Sequence, residues 1–177
     1  MNNNTTAATH TWKQKTPVGT LVISAGPDGV CSVLLNGSKK AEGRDGPAPA
    51  TPPAAQRPIA RAFDRYFAGD AHALDDLEVD LSGVQSEFHR KVLTTLRELA
   101  GPGTTVSYGE LAAVVGHPGA ARAVGSVMAR NPVPIILPCH RVLASDGALG
   151  GYGGGLEMKR SLLRIEGVEL PAGRKRR

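Results

Sequence analysis

The chain has 177 residues, 41% of them hydrophobic and 4% aromatic, with a formal net charge of +5. That length holds one ordinary domain or two small ones, and no apolar stretch approaches the length of a membrane-spanning helix. Two cysteines, Cys31 and Cys139, and five scattered histidines supply neither a CxxC pair nor zinc-ligand spacing, so no structural metal and no cofactor are expected.

The charge is unevenly placed. Residues 1–85 carry 8 Lys/Arg against 9 Asp/Glu, whereas residues 86–177 carry 13 against 7. A basic second half suits a polyanion partner, nucleic acid first among them, although the tail Arg174-Lys175-Arg176-Arg177 supplies four of those charges.

Residues 1–10 are polar Asn/Thr/Ala sequence, expected to be a disordered tail, with neither the charged start nor the apolar centre of a secretory leader. With thiols that need no partner, this makes the cytoplasm the expected location. Trp12 to Leu35 reads as a β-meander. Thr16-Pro17-Val18-Gly19 makes its first turn and Gly26-Pro27-Asp28-Gly29 its second, around Leu21-Val22-Ile23 and the returning Val30–Leu35. Residues 37–58 form a proline-rich loop. A helix follows from Ile59, with Pro58 in its first turn, Ile59, Ala62, Phe63, Tyr66 and Phe67 on one face, and Gly69 to stop it. Leu77, Val79 and Leu81 alternate with acidic residues as a half-buried strand. Ser82-Gly83 then divides an N-terminal domain, 11–82, from a C-terminal one, 83–170, with a basic tail at 171–177.

In the second half Phe88, Val92, Leu96 and Leu99 mark an amphipathic helix ended by Gly101-Pro102-Gly103. Ser107-Tyr108-Gly109-Glu110 has the form of a capping box opening a short helix. A second helix, Ala120 to Arg130, follows the Gly116-His117-Pro118-Gly119 turn, giving the shape of a helix-turn-helix. This second helix carries Arg122 and Arg130 among Ala121, Ala123, Gly125, Ser126 and Ala129, small residues that permit close approach to another surface. Ile135-Ile136-Leu137 reads as a buried strand closed by Pro138, which presents Cys139 at its end. Cys139 and His140 would face opposite sides of a regular strand, so their cooperation requires a turn or a bridging water. Asp146-Gly147 signals a hairpin turn. The run Gly150-Gly151-Tyr152-Gly153-Gly154-Gly155 matches no phosphate-binding loop and suits backbone held close to a ligand. The last helix, from Leu156 through Ile165, ends on Glu166. A carboxylate is unfavourable at a helix C-terminus, which marks Glu166 for another role.

These residues support a thiolate nucleophile, with His140 as its base and a carboxylate such as Glu166 orienting the imidazole. From the residues alone, acyl transfer and attack on an alkyl carbon remain open, as does a hydrolase.

Pro138-Cys139-His140-Arg141-Val142 resembles the acceptor motif of the O6-alkylguanine-DNA alkyltransferases, the methylated-DNA–protein-cysteine methyltransferases. Ser107-Tyr108-Gly109-Glu110-Leu111-Ala112, Ala121-Arg122-Ala123-Val124-Gly125, Asn131-Pro132-Val133-Pro134 and Gly151-Tyr152-Gly153-Gly154-Gly155-Leu156-Glu157 are similar to further blocks of that family, in family order. Together they cover residues 86–167. Thr16–Leu21 resembles its first hairpin.

The resemblance implies an α+β fold: a small N-terminal ribonuclease-H-like α/β domain, then a mainly helical C-terminal domain with a helix-turn-helix, winged-helix-like. It implies a monomer that binds double-stranded DNA through the minor groove, clusters cooperatively on it, and flips an alkylated guanine into a pocket. Cys139 would accept the alkyl group from O6-alkylguanine, and from O4-alkylthymine, irreversibly. His140 would be its water-mediated base and Glu166 the carboxylate behind it. Tyr108 would assist base rotation and protonate the guanine, and Asn131 would be the hinge. The Cys139 and Val142 carbonyls would hold the exocyclic amine, and Pro134, Tyr152 and Gly153 would line the pocket. Arg122 would fill the gap in the base stack, with Ala121, Ala123, Gly125, Ser126, Met128 and Arg130 along the DNA. Gly153 stands where some members have serine, Leu93 where an aromatic is common, and Arg130 where a small residue is usual. The zinc-binding phosphotriester domain of some relatives has no counterpart. Cys31 matches no functional position and is expected in the core. A damage sensor without transfer chemistry is the competing reading, and the presence of Cys139 argues against it.

Overall fold

The computed structural model describes residues 8–35 and 48–170. The tail 1–7, the loop segment 36–47 and the basic tail 171–177 lie outside the described residues. His10 already belongs to a strand, so the N-terminal tail expected to run to residue 10 is shorter than that.

Strands β1 (His10–Thr16), β2 (Gly19–Gly26) and β3 (Gly29–Leu34) form an antiparallel meander in that order. Gly19 and Gly29 close the two turns at φ +118 and +116, a region that only glycine enters without cost. Alternation places Trp12 and Gln14 of β1 inward with Leu21, Ile23 and Ala25 of β2. Helix α1 (Arg57–Phe67) covers this face with Ala60, Phe63 and Tyr66. Gln14 ties the layers together, its amide donating to the Ala60 carbonyl and to Asp64, both at 2.8 Å.

The expected strand Leu77–Leu81 reduces to one parallel bridge, Val79 to Val30. Val30 donates to the Glu78 carbonyl at 2.9 Å, and Val30's own carbonyl accepts from Asp80 at 3.0 Å. Turns occupy residues 71–76 and 82–83, which leaves too little extended chain for a longer ladder.

Helix α2 (Glu87–Leu99) starts at Ser86, whose hydroxyl accepts from the His89 amide. Its buried positions are Val92, Leu93 and Leu96. Leu99, expected on that face, is 44% exposed. Leu93 takes the inward place instead, because the 3.6-residue period runs the stripe on to Ala100 rather than Leu99. Strand β4 (Val106–Ser107) leads into α3 (Tyr108–Val114) through the full capping box of Ser107 and Glu110. Helix α4 (Ala121–Ala129) follows, packed on α3 through Val124 and Val127. Strand β5 (Val142–Leu143) pairs parallel with β4, and α5 (Leu156–Ile165) closes the fold.

The two halves share one continuous apolar core, from Trp12 and Phe63 to Leu111, Val127 and Leu162. The architecture is α+β, a small sheet with one helix followed by a helical half. Asp146-Gly147 makes a turn, with Ala144 bonded to Ala148 across it. No hairpin strands flank it, because β5 is already engaged with β4.

Candidate active site

Residues 135–137 are buried as expected, but they are not a strand. Ile135 sits at φ 78, alone among the described non-glycine residues in having positive φ. A β-branched residue in that region costs about 1–3 kcal/mol. Leu137 turns back to donate to the Val133 carbonyl at 3.0 Å. Pro138 cannot donate to a ladder, and Cys139–Arg141 close a single 3₁₀ turn in which Val142 donates to the Cys139 carbonyl. The turn removes the strand alternation that would have separated Cys139 from His140.

Asn131, just beyond α4, braces this chain reversal. Its amide donates to the Leu137 carbonyl at 2.8 Å, its oxygen accepts from Val133 at 3.0 Å, and its side chain hydrogen-bonds the Cys139 thiol. Cys139 is 6% exposed. Burial pushes its pKa up, while Asn131, the Lys159 charge and nearby backbone amides pull the other way. The balance leaves a protonated thiol at neutral pH, one that needs a base.

His140 is fully buried, and its Nε2 lies 2.7 Å from Glu166 Oε1. A carboxylate there fixes the tautomer: Nε2–H donates and Nδ1 carries the lone pair. Nδ1 has no hydrogen-bond partner among the described residues, so it is the ring nitrogen with a lone pair free to accept a proton. Burial lowers the His140 pKa against the opposing pull of Glu166, which keeps the imidazole neutral and its lone pair available.

Glu166 caps the C-terminus of α5, and its side chain is 0% exposed. The misfit with the helix dipole is offset by a chelate. Arg141 donates through Nε to Oε2 at 2.8 Å and through Nη2 to Oε1 at 2.9 Å, and through Nη1 to the Ala100 carbonyl. Tyr66 donates its hydroxyl to Oε1 at 2.6 Å. Burial alone would raise the Glu166 pKa, but His140 and Arg141, by hydrogen bonds and charge, hold it at about 2.

Tyr108 and Tyr152 are both close enough to the thiol for its charge to raise their pKa values, after burial, which is the larger cause. A Cβ on Gly125 of α4 would lie 3.9 Å from the Tyr108 ring, and one on Gly150 would lie 3.2 Å from its hydroxyl. The first is an ordinary contact and the second a crowded one, so of the two neighbours it is Gly150, also at φ +65, that has to be glycine. Tyr152 keeps a buried hydroxyl with no partner among the described residues. Pro134 is buried beside this turn. Of Gly153 and its neighbour Gly154, only Gly154 is sterically required. Its Cβ would strike Met158 Sδ and come within 3.0 Å of Leu35, whereas Gly153 has open space. Gly154→Ala is accordingly expected to cost about 1–3 kcal/mol, and Gly153→Ala to melt with the wild type. Thermal denaturation of the two variants checks this.

On α4, Arg122, Ala123, Ser126, Ala129 and Arg130 are exposed, Ala121, Gly125 and Met128 are half-buried, and Val124 and Val127 face the core. Every expected contact residue of this helix is therefore at least partly open to solvent. Arg130 bonds back to the Ser126 carbonyl at 3.2 Å. Cys31 is half-buried rather than in the core. It lines a cavity of about 550 Å³ with Asp80, His89 and Arg130, away from Cys139, and burial and Asp80 raise its pKa.

Three residues of the site escaped the sequence reading. Arg141 adjoins His140, and nothing local assigns it to Glu166. Lys159 is fully buried, its ammonium donating to the Val142 carbonyl at 2.7 Å and to that of Leu149; burial draws its pKa down to about 8. The readable signal was a lysine on the apolar stripe with Met158, Leu162 and Leu163. The Val142 carbonyl retains a second lone pair for another donor. Tyr66 lies on the apolar face of α1, where a buried phenol requires a partner.

Fold and site together define an α+β protein in which a buried thiol, backed by a His–Glu–Arg chelate, lies between a helix pair and a glycine-rich loop. Residues 87–168 match the family model described as "6-O-methylguanine DNA methyltransferase, DNA binding domain". The methylated-DNA–protein-cysteine methyltransferase of Methanosarcina acetivorans is 37% identical over 154 residues, covering 86% of this chain and 95% of the relative. That of Mycolicibacterium paratuberculosis is 50% identical over 107 residues, 60% of this chain and 62% of the relative's length. The crystal structure of Mycobacterium tuberculosis OGT in complex with DNA superposes with a TM-score of 0.73 at 32% identity, covering 89% of this chain and 93% of that one. The chain belongs to the methylated-DNA–protein-cysteine methyltransferase family.

Proposed function

We propose that this protein repairs alkylated DNA by moving the alkyl group of O6-alkylguanine irreversibly onto Cys139. The observation that carries the reading is a buried thiol followed in a 3₁₀ turn by a histidine whose Nε2 is tied to Glu166, leaving Nδ1 for the thiol proton. The membership established above, and the relative solved in complex with DNA, support the same conclusion.

The thiol proton passes to His140 Nδ1, directly or through a water, and Glu166 stabilises the imidazolium. Sulfur, a soft nucleophile, attacks the alkyl carbon; the S–C bond forms as the C–O6 bond breaks. The guanine oxyanion takes a proton from Tyr108, which recovers one from the imidazolium side. The product thioether offers no leaving group, so each molecule acts once. O4-alkylthymine presents the same alkyl–oxygen bond and is a second substrate on this reading.

The exposed face of α4, from Arg122 through Ser126 to Arg130, is proposed to enter the minor groove as a monomer. Small side chains allow the close approach that this groove demands, and little base-specific readout is required there. Flipping the damaged base costs a few kcal/mol of unstacking, which Arg122 offsets by entering the gap. The free thiols of Cys31 and Cys139 suit a reducing cytoplasm.

Incubation with a duplex carrying one O6-methylguanine is expected to add one methyl group to the intact protein mass, mapping to Cys139. No addition with verified substrate, or addition at Cys31, would overturn the reading. Arg122→Ala should slow transfer from duplex DNA about tenfold or more, the scale of a lost unstacking compensation. It should slow transfer from free O6-benzylguanine far less, since only the duplex requires flipping. Equal losses in both assays would remove Arg122 from that role.

A further inference from the structure

We propose that Tyr66, supplied by the N-terminal domain, is a positioning residue of the thiol-activating relay. Its hydroxyl holds the Glu166 carboxylate with Oε1 against His140 Nε2, and so keeps Nδ1 of that ring as the base for Cys139. The chemistry of this inference rests on the alkyl-transfer reading above, while the placement rests on geometry alone.

Glu166 Oε1 receives three donors: Tyr66 Oη at 2.6 Å, His140 Nε2 at 2.7 Å and Arg141 Nη2 at 2.9 Å. His140 and Arg141 lie on the same 3₁₀ turn as the thiol and move with it. Tyr66 lies on α1, 100 residues from Glu166, and is 1% exposed. It anchors the carboxylate directly from outside that turn, as the Ala100 carbonyl anchors Arg141. Its ring is set edge-on against Phe67 at 5.2 Å, which leaves the phenol little room to turn away. Removing the hydroxyl frees the carboxylate to rotate with Arg141, and the Oε1–Nε2 bond that fixes the imidazole tautomer is no longer enforced.

The N-terminal domain reaches the site at other points as well. Val33 of β3 donates to the Pro132 carbonyl beside the Asn131 brace at 2.9 Å, and Leu35 lies where any Cβ on Gly154 would meet it. Tyr66 is the contact among these that touches the proton relay itself, so docking of the first domain sets the reactivity of a thiol in the second.

The charged and titratable groups around the relay are Tyr66 from α1, His140 and Arg141 from the turn, Tyr152 from the glycine-rich loop and Lys159 from α5, which acts on both His140 and Cys139. Loss of the Tyr66 donor loosens the Oε1–Nε2 bond and with it the pull of Glu166 that opposes burial at His140. The His140 pKa should therefore fall further.

The test uses the full chain with Tyr66→Phe, which keeps the ring, and Tyr66→Leu, which does not. Single-turnover transfer from O6-benzylguanine is followed against pH, and the His140 ring nitrogens are titrated by NMR. The Phe variant is expected to react about tenfold more slowly on the pH plateau, the scale of one charge-assisted hydrogen bond. The acid limb of its rate profile and its His140 titration should both move to lower pH. A Phe variant with the wild-type rate and titration overturns the inference, as does a slower variant whose His140 titrates like the wild type. Should the wild type take no alkyl group while His140 still shifts in the Phe variant, alkyl transfer fails and the positioning role stands. If the Leu variant does not fold, the Phe variant decides alone.

Discussion

Cys139→Ser is expected to abolish alkyl uptake completely while the protein still folds and still binds alkylated duplex. The hydroxyl has almost the shape of the thiol and can keep the Asn131 hydrogen bond, so the surrounding turn has no reason to rearrange. Its chemistry is another matter. An alcohol is far harder to deprotonate than a thiol, and a neutral imidazole that can share a thiol's proton cannot usefully share a serine's. Oxygen is also the harder nucleophile toward an alkyl carbon. Intact-mass measurement should show no added methyl group in the Ser variant, and a gel-shift assay should show the damaged duplex retained. Transfer at any site in the Ser variant would remove Cys139 as the acceptor.

Glu166→Ala should have the largest effect on stability, about 3–5 kcal/mol, the usual consequence of stripping one partner from a buried ion pair. Arg141, 5% exposed, would be left charged without its counter-ion, and Tyr66 would lose its acceptor. Glu166→Gln should cost less, because an amide oxygen can still accept, but it should slow transfer because it no longer stabilises an imidazolium. Denaturant melts and single-turnover rates on the two variants separate these effects.

The same carboxylate predicts how the wild type responds to acid. Its folded pKa, about 2, lies below its value in the unfolded chain. Its contribution to stability is therefore complete above about pH 4.5 and is lost as pH falls toward 2. His140 acts in the same direction at higher pH. Its folded pKa is depressed by burial, so the unfolded chain binds the extra proton first and stability declines as pH drops below about 6.5. Acid melts should therefore show loss beginning near the histidine range and steepening below the carboxylate range. In Glu166→Gln the lower component should shrink, leaving what the other depressed carboxylates, Asp80 and Glu110, supply.

The helical half was legible because its signals are local. The Ser107–Glu110 capping box, the glycines that close the α3–α4 turn and the small-residue face of α4 each depend on residues within a few positions of one another. The β1–β3 meander was legible for the same reason, its turns marked by glycines that the structure holds at positive φ. Periodicity misled where burial changes direction. Leu99 and Leu93 exchange places on α2, and Leu77–Leu81 alternates like a strand yet forms only one bridge. The Ile135–Leu137 run has strand composition, but Asn131 and the two flanking prolines bend it into a strained reversal.

What the sequence by itself determined was the candidate pair Cys139 and His140, the position of the break at Pro138 and the oddity of a carboxylate at the end of α5. Proline's missing donor, the thiol's softness and the helix dipole are properties of residues and their immediate neighbours, and they hold in any fold. What only the tertiary structure decided was the relay. His140 and Glu166 are 26 positions apart and Tyr66 and Glu166 are 100 apart, separations at which no local preference acts. Their meeting depends on packing two halves around one core, and burial then shifts each group: the thiol up, the imidazole down, and the carboxylate held down by the partners that surround it.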